Sequence, residues 1–140
     1  EDAEALDGLD MTLLLIDKKE MSIDFAGAGH TLYQTRGKEI IEHKGDNFPV
    51  GYFFGREKPY TRKEVKLEKG DVLYMTSDGF IEQFGGKENK LYGIKRFKNL
   101  ILESSDLPME EQKEKFSRSY NNWKGAQKQI DDVCIMSIRV

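Results

Sequence analysis

Two groups of aspartates in this sequence stand where a fold could present carboxylate oxygens to a metal ion. Asp78 follows an apolar run that begins at Val72, and Gly79 comes directly after it. Such a run suits a strand buried on both faces, which would hold Asp78 in a fixed direction at the edge of a core. The glycine allows backbone or ligand to approach closely, and carboxylate oxygens are ligands that hard cations prefer. An Asp-Gly turn that simply ends a strand would explain the same residues.

The second group lies near the other end of the chain. Asp131 and Asp132 precede a β-branched and apolar run from Val133 to Val140, which predicts another strand. If the two strands are antiparallel, Asp78 and the acidic pair arrive at the same edge of the sheet. Converging carboxylates repel one another unless a cation or a proton lies between them. A solvated acidic turn is the alternative, and spacing alone does not decide between the two.

Four segments of the chain, taken in order, resemble the SpoIIE-like (stage II sporulation E) serine phosphatases. These are the bacterial branch of the metal-dependent PP2C (PPM) protein phosphatases. The TSDGFIEQFGG segment resembles the central metal-site segment of that family, and the other three match in the order that the family uses. The segments are DGLDMT (7–12), AGAGH (26–30), TSDGFIEQFGG (76–86) and DDV (131–133).

The resemblance implies hydrolysis of phosphoserine or phosphothreonine on a partner protein in bacterial signalling. Asp78 and Asp131 would be ligands of one metal ion, with Gly79 and Asp132 next to it, in a site that holds two Mn²⁺ or Mg²⁺ ions. The chemistry would come from a metal-activated water, so no catalytic side chain is expected beyond the metal ligands. Carboxylate ligands favour Mg²⁺ or Mn²⁺ over zinc.

The chain departs from the family pattern at its start. The family carries an earlier segment, ahead of Asp7, whose Asp-x-x-Gly-His-Gly-type turn supplies a metal-bridging aspartate and a carbonyl ligand. The two histidines, His30 and His43, do not lie in such a turn. The resemblance therefore implies that residues 1–140 are the C-terminal part of one phosphatase domain, with half of the two-metal site missing. We expect negligible turnover from these residues alone, and self-association or a chain that covers the missing half. The alternative function is a non-catalytic regulatory or binding module with the same fold.

Composition limits the remaining classes of function. The chain has 22 Lys and Arg against 25 Asp and Glu, a net charge of −3, and so lacks the basic excess typical of nucleic-acid binding. No apolar run approaches the ~20 residues of a membrane span, and no signal peptide is visible. We expect a cytoplasmic location, which would suit the output domain of a larger sensor protein. Cys134 lies in a strand pattern and is expected to be a small buried side chain.

The elements that would position these residues are mainly antiparallel strands followed by two C-terminal helices, an α+β arrangement. The resemblance implies part of an α-β-β-α sandwich. Asp106 is expected to cap the second helix, and a close approach of backbones is expected at residues 26–30. The pattern predicts strands at 11–16, 21–25, 31–35, 40–43, 62–67, 72–76 and 133–140. It predicts a helix at 92–103, a second helix that has Pro108 in its first turn and ends at Gly125, and an irregular segment at 45–59.

Overall fold

The computed structural model describes residues 8–51 and 58–140. Asp7 and the aromatic residues Tyr52, Phe53 and Phe54 of the irregular segment lie outside the described residues. The strands are β1 (Gly8–Leu9), β2 (Met11–Asp17), β3 (Ser22–Ala28), β4 (Thr31–Arg36), β5 (Glu39–Lys44), β6 (Val50–Gly51), β7 (Lys63–Lys66), β8 (Val72–Thr76), β9 (Phe84–Gly85), β10 (Lys90–Leu91) and β11 (Ile135–Arg139). The helices are α1 (Asp78–Ile81), α2 (Ile94–Ser104) and α3 (Met109–Lys124). The predicted α+β class is confirmed, and no helix in these two ranges has the length and apolar character needed to cross a membrane.

The chain divides into two compact units, and residues 8–32 and 42–69 belong to the first. Its main sheet has the strand order β2-β3-β7, with both pairs antiparallel. Strands β2 and β3 form an antiparallel hairpin, and β3 buries Ile23 and Phe25 on one face. The edge strand β2 exposes an apolar row, because Met11, Leu13 and Leu15 are 40%, 59% and 68% exposed.

The predicted close approach of backbones lies at the end of β3. The Gly45 N–H donates to the carbonyl of His30 at 3.0 Å, and the Asp46 N–H donates to the carbonyl of Gly27 at 2.8 Å. A Cβ at Gly27 would stand 2.8 Å from the His30 carbonyl oxygen, so the glycine is required by space. In the same unit β1 pairs with β6 in a two-residue antiparallel ladder that the sequence did not predict.

The second unit comprises residues 33–41 and 70–140 and is built on β8. The sheet to which it belongs has the order β11-β8-β4-β5, and both β11 and β4 pair with β8 antiparallel. Val72, Leu73 and Tyr74 are fully buried, as expected for a strand covered on both faces. The antiparallel register pairs Ile135 with Thr76.

Helices α2 and α3 bury their aromatic faces against this sheet. The Tyr74 ring meets Phe116 of α3 edge-on at 5.9 Å, and the Tyr33 ring meets Phe97 of α2 at 5.7 Å. The Tyr74 hydroxyl donates to Gln112 Oε1 at 2.9 Å, and burial raises the pKa of Tyr74 to about 12. Phe116 and Tyr120 of α3 are therefore core residues.

The helix boundaries differ from the prediction in two places. Helix α2 begins at Ile94, after Gly93 with φ +83°, two residues later than the pattern indicated. The expectation that Asp106 caps α3 is wrong, since Pro108 occupies the N-cap position. Asp106 instead pairs with Lys38 across the surface of this unit, and that ion pair lowers the pKa of Asp106.

Candidate metal centre

Asp78 stands exposed at the point where β8 gives way to a single helical turn. Thr76 ends the strand, Ser77 is the N-cap, and Asp78 is the first residue of α1. The turn forms around Phe80, which is 2% exposed and packs on Tyr92 at 5.0 Å and on other rings of the core. The sequence predicted that the carboxylate would lie at the end of a buried strand. The helical turn was not predicted, because no element was expected between the strand at 72–76 and the helix that follows.

The strand register carries the second acidic group to the same place. Beyond the pair of Ile135 and Thr76, the Ser77 N–H donates to the carbonyl of Cys134 at 2.9 Å. The Ser77 hydroxyl donates to the carbonyl of Asp132 at 2.9 Å and accepts from the Cys134 N–H at 2.9 Å. The antiparallel arrangement on which the sequence argument depended is thus present. Strand β11 begins at Ile135 rather than at Val133, so the acidic pair lies in the segment leading into it.

Gly79 lets the two segments touch. A Cβ at this position would stand 2.4 Å from the carbonyl oxygen of Asp132 and 3.3 Å from the carbonyl carbon of Asp131. Any side chain here would therefore push the acidic segment away from α1. The glycine after Asp78 is explained by this approach of backbone to backbone, one of the two reasons for it that the sequence suggested.

The carboxylates themselves face solvent. Asp78, Asp131 and Asp132 are all exposed. Asp131 Oδ1 accepts the N–H of Asp132 at 2.7 Å, and Gln129 Nε2 donates to the Asp131 carbonyl at 2.9 Å. These contacts fix the backbone around Asp131.

The donor set suits a hard divalent cation, because exposed carboxylate oxygens carried on two adjoining segments are what Mg²⁺ and Mn²⁺ prefer. Within residues 8–51 and 58–140 no group of three or more His, Cys, Asp or Glu side chains is placed to hold a metal ion. The described residues therefore fit one part of a metal site, and further ligands would have to come from elsewhere.

The two histidines belong to the other unit. The carbonyl of His30 accepts the Gly45 N–H, where the two backbones approach each other at the end of β3. Burial, together with the charge of Lys63, lowers the pKa of His43. The sequence assigned no function to His43, and the structure gives no reason to assign one.

The expectation that Cys134 is buried is wrong. Its side chain is exposed, and the residue lies just before β11 rather than within it. Its backbone N–H and carbonyl are both bonded to Ser77, so the position is held by main-chain contacts and not by packing of the thiol.

Two residues that hold the site together were missed by the sequence argument. Ser77 was seen only as part of the segment that resembles the phosphatases, although its hydroxyl joins the two acidic segments. Gln83 was not singled out, yet it is fully buried, and both polar atoms of its side chain are hydrogen-bonded. Its place between Ile81 and Phe84, next to the charged Glu82, carries no signal that would have marked Gln83.

We expect Ser77→Ala to loosen the joint between the two segments. The Cys134 N–H would lose its acceptor, and the Asp132 carbonyl would lose its donor, at a cost of ~1 kcal/mol. Hydrogen exchange at the Cys134 amide should become about fivefold faster. Ser77→Thr keeps the hydroxyl and is the matched control, so equal exchange in the two variants would contradict the role given to this hydroxyl.

Comparison with known proteins gives one family and several solved structures. The model of the family described as Stage II sporulation protein E (SpoIIE) matches residues 2–140. The SiaA-PP2C domain of Pseudomonas aeruginosa is 32% identical, with a TM-score of 0.87 over 94% of this chain. The phosphatase domain of the cell fate determinant SpoIIE from Bacillus subtilis is 18% identical, with a TM-score of 0.69 over 93% of this chain. No curated protein matches the chain.

A third solved structure has the same fold at lower similarity. The serine/threonine phosphatase PstP/Ppp of Mycobacterium tuberculosis is 16% identical and has a TM-score of 0.54 over 91% of this chain. At such identities the Bacillus and Mycobacterium structures show a shared fold only. The chain spans about half of each matched structure, namely 51%, 57% and 58% of the three.

Proposed function

This chain belongs to the stage II sporulation protein E (SpoIIE) family, and from that premise we propose that it forms part of a metal-dependent protein serine/threonine phosphatase. The observation that carries the proposal is the contact between the segment around Asp78 and the segment around Asp132. The Ser77 hydroxyl makes this contact, Gly79 leaves room for it, and we call it the joint at Ser77 and Gly79. It holds the exposed carboxylates of Asp78 and Asp131 on two adjoining segments at one edge of the sheet. We take Asp78 and Asp131 as metal ligands, with Gly79 and Asp132 beside the metal.

The chain would be the C-terminal part of one phosphatase domain. Two observations support this division: the chain covers 51% of the SiaA-PP2C domain, and the edge strand β2 exposes Met11, Leu13 and Leu15. An exposed apolar row on an edge strand is normally buried by another element or another chain. The remaining part of the domain, in the same polypeptide or in a second chain, would cover that row and supply the other metal ligands.

The role of this chain in the reaction derives from its carboxylates. Bound Mn²⁺ or Mg²⁺ would activate a water molecule and offset negative charge on the phosphoryl group. Asp78 and Asp131 would hold that cation, Gly79 would keep the two segments in contact, and Ser77 would fix the backbone that carries both. No side chain of the described residues would be needed as a nucleophile, since the bound metal would supply an activated water.

The substrate we propose is a phosphoserine or phosphothreonine residue of a partner protein in the cytoplasm. The match to the stage II sporulation protein E (SpoIIE) family supports this substrate class. A net charge of −3 gives no support to nucleic acid as a partner.

The test is hydrolysis of a phosphoserine peptide by the whole protein that carries this chain, compared with residues 1–140 alone. We expect turnover that requires Mn²⁺ or Mg²⁺, stops on chelation and returns when metal is added again, with negligible turnover from residues 1–140 alone. Equal turnover by the two proteins would contradict the division of the domain. A folded whole protein that neither binds Mn²⁺ nor hydrolyses the peptide would favour the non-catalytic module instead.

A further inference from the structure

We propose that Gln83 is a positioning residue for Asp131, acting through the loop that precedes it; the inference rests on the proposed function of that site. Gln83 lies five residues after Asp78 and is fully buried. Its side chain and its carbonyl connect the end of α1 to helix α3 and to the segment at residues 125–130. That segment delivers Asp131 to the candidate metal centre.

Both polar atoms of the Gln83 side-chain amide have hydrogen-bond partners, and both N–H groups of Nε2 are used. Nε2 donates to the carbonyl of Lys128 at 3.0 Å and to the carbonyl of Phe84 at 2.9 Å, and Oε1 accepts from the hydroxyl of Tyr120 at 2.7 Å. The Gln83 carbonyl accepts from Trp123 Nε1 at 3.0 Å. A buried amide satisfied at every atom has one arrangement, because any rotation leaves a buried polar group without a partner.

The contact with Lys128 matters because Asp131 comes only three residues later in the chain. Residues 125–130 are exposed and have no helix or strand of their own. Asp131 therefore lies between two carbonyls that accept hydrogen bonds from the core of the unit. Gln83 donates to the carbonyl of Lys128, and Ser77 donates to the carbonyl of Asp132. Removal of the first anchor would leave the approach to Asp131 free to move while the second anchor stays in place.

This role differs from a contribution to packing alone, and Tyr120 allows the two to be separated. The Tyr120 hydroxyl bonds to the acceptor end of Gln83, and the loop bonds to the donor end. Tyr120→Phe thus weakens the same buried network without touching the tie to Lys128. Gln83→Met removes both the donor to Lys128 and the acceptor for Tyr120. Gln83→Glu keeps an acceptor for Tyr120 but, when ionised, has no donor for Lys128.

The experiment compares these variants in the whole protein that carries the chain. It measures Mn²⁺ affinity by calorimetry, thermal unfolding, and hydrogen exchange of residues 126–132 without metal. We expect Gln83→Met and Gln83→Glu to weaken Mn²⁺ binding about tenfold, as outer-shell changes do, and to speed exchange in 126–132. Tyr120→Phe should lower the unfolding temperature and change Mn²⁺ affinity less than about twofold.

Each outcome bears on the proposal. If Tyr120→Phe weakens Mn²⁺ binding as much as Gln83→Met does, the network acts through general stability and the positioning role is wrong. Unchanged Mn²⁺ affinity in both Gln83 variants would also overturn it. A wild-type protein that binds no Mn²⁺ would instead refute the proposed function, and exchange in 126–132 would still show whether Gln83 holds the loop.

Discussion

Asp78→Asn is expected to reduce metal-dependent hydrolysis of a phosphoserine peptide at least about 100-fold in the whole protein that carries this chain. A metal ion contributes several kcal/mol of charge stabilisation in such reactions, and each 1.36 kcal/mol corresponds to a factor of about ten. Asparagine keeps the size of the side chain but removes its charge, so the metal would be lost or misplaced. Because Asp78 is exposed, the free energy of unfolding should change by no more than about 0.5 kcal/mol.

Asp106→Asn is the matched control for this variant. It makes the same chemical change at an exposed aspartate whose partner is Lys38. A surface ion pair of this kind contributes little, so activity should remain within about twofold of wild type. The measurement is initial rate against Mn²⁺ concentration for the three proteins. Equal activity in Asp78→Asn and Asp106→Asn would exclude Asp78 as a metal ligand and would leave the joint at Gly79 with a purely structural role.

The sequence predicted the parts of the fold that depend on local pattern. The apolar run from Val72 and the alternation around Ile23 both indicate strands, and strands lie there. It also identified the condition that brings Asp78 to Asp131, namely an antiparallel pairing of β8 with β11. That pairing is non-local, so the sequence could state it only as a condition.

The failures share a physical cause. Helix α1, the exposed thiol of Cys134 and the free N-cap of α3 all depend on tertiary contacts that no local pattern encodes. Phe80 lies in a helical turn that the surrounding rings bury. Asp106 pairs with Lys38, and Pro108 occupies the N-cap position of α3. Ser77 and Gln83 were missed for the same reason. Asp132 is 55 residues from Ser77 in the sequence, and Tyr120 and Lys128 are 37 and 45 residues from Gln83.

Gly85→Ala is expected to destabilise the protein by about 3 kcal/mol, the upper end of the usual cost of overpacking. A Cβ at Gly85 would stand 1.9 Å from the carbonyl oxygen of Trp123. That carbonyl belongs to the last turn of α3 and accepts the Gly86 N–H at 2.8 Å. Since this carbonyl is main chain, it cannot rotate away, and the 84–86 segment must separate from the helix. Denaturant unfolding of the whole protein measures the loss.

Gly37→Ala separates lack of space from strain in the backbone. Gly37 has φ +56° and nothing within 4 Å of an added Cβ, so it should cost ~1 kcal/mol, the penalty of a left-handed conformation alone. A loss at Gly85 no larger than that at Gly37 would contradict the close contact with Trp123. The same contact bears on the metal centre, because Trp123 Nε1 donates to the Gln83 carbonyl. If Gln83 positions Asp131, then Gly85→Ala should weaken Mn²⁺ binding as well as stability, whereas Gly37→Ala should affect stability alone.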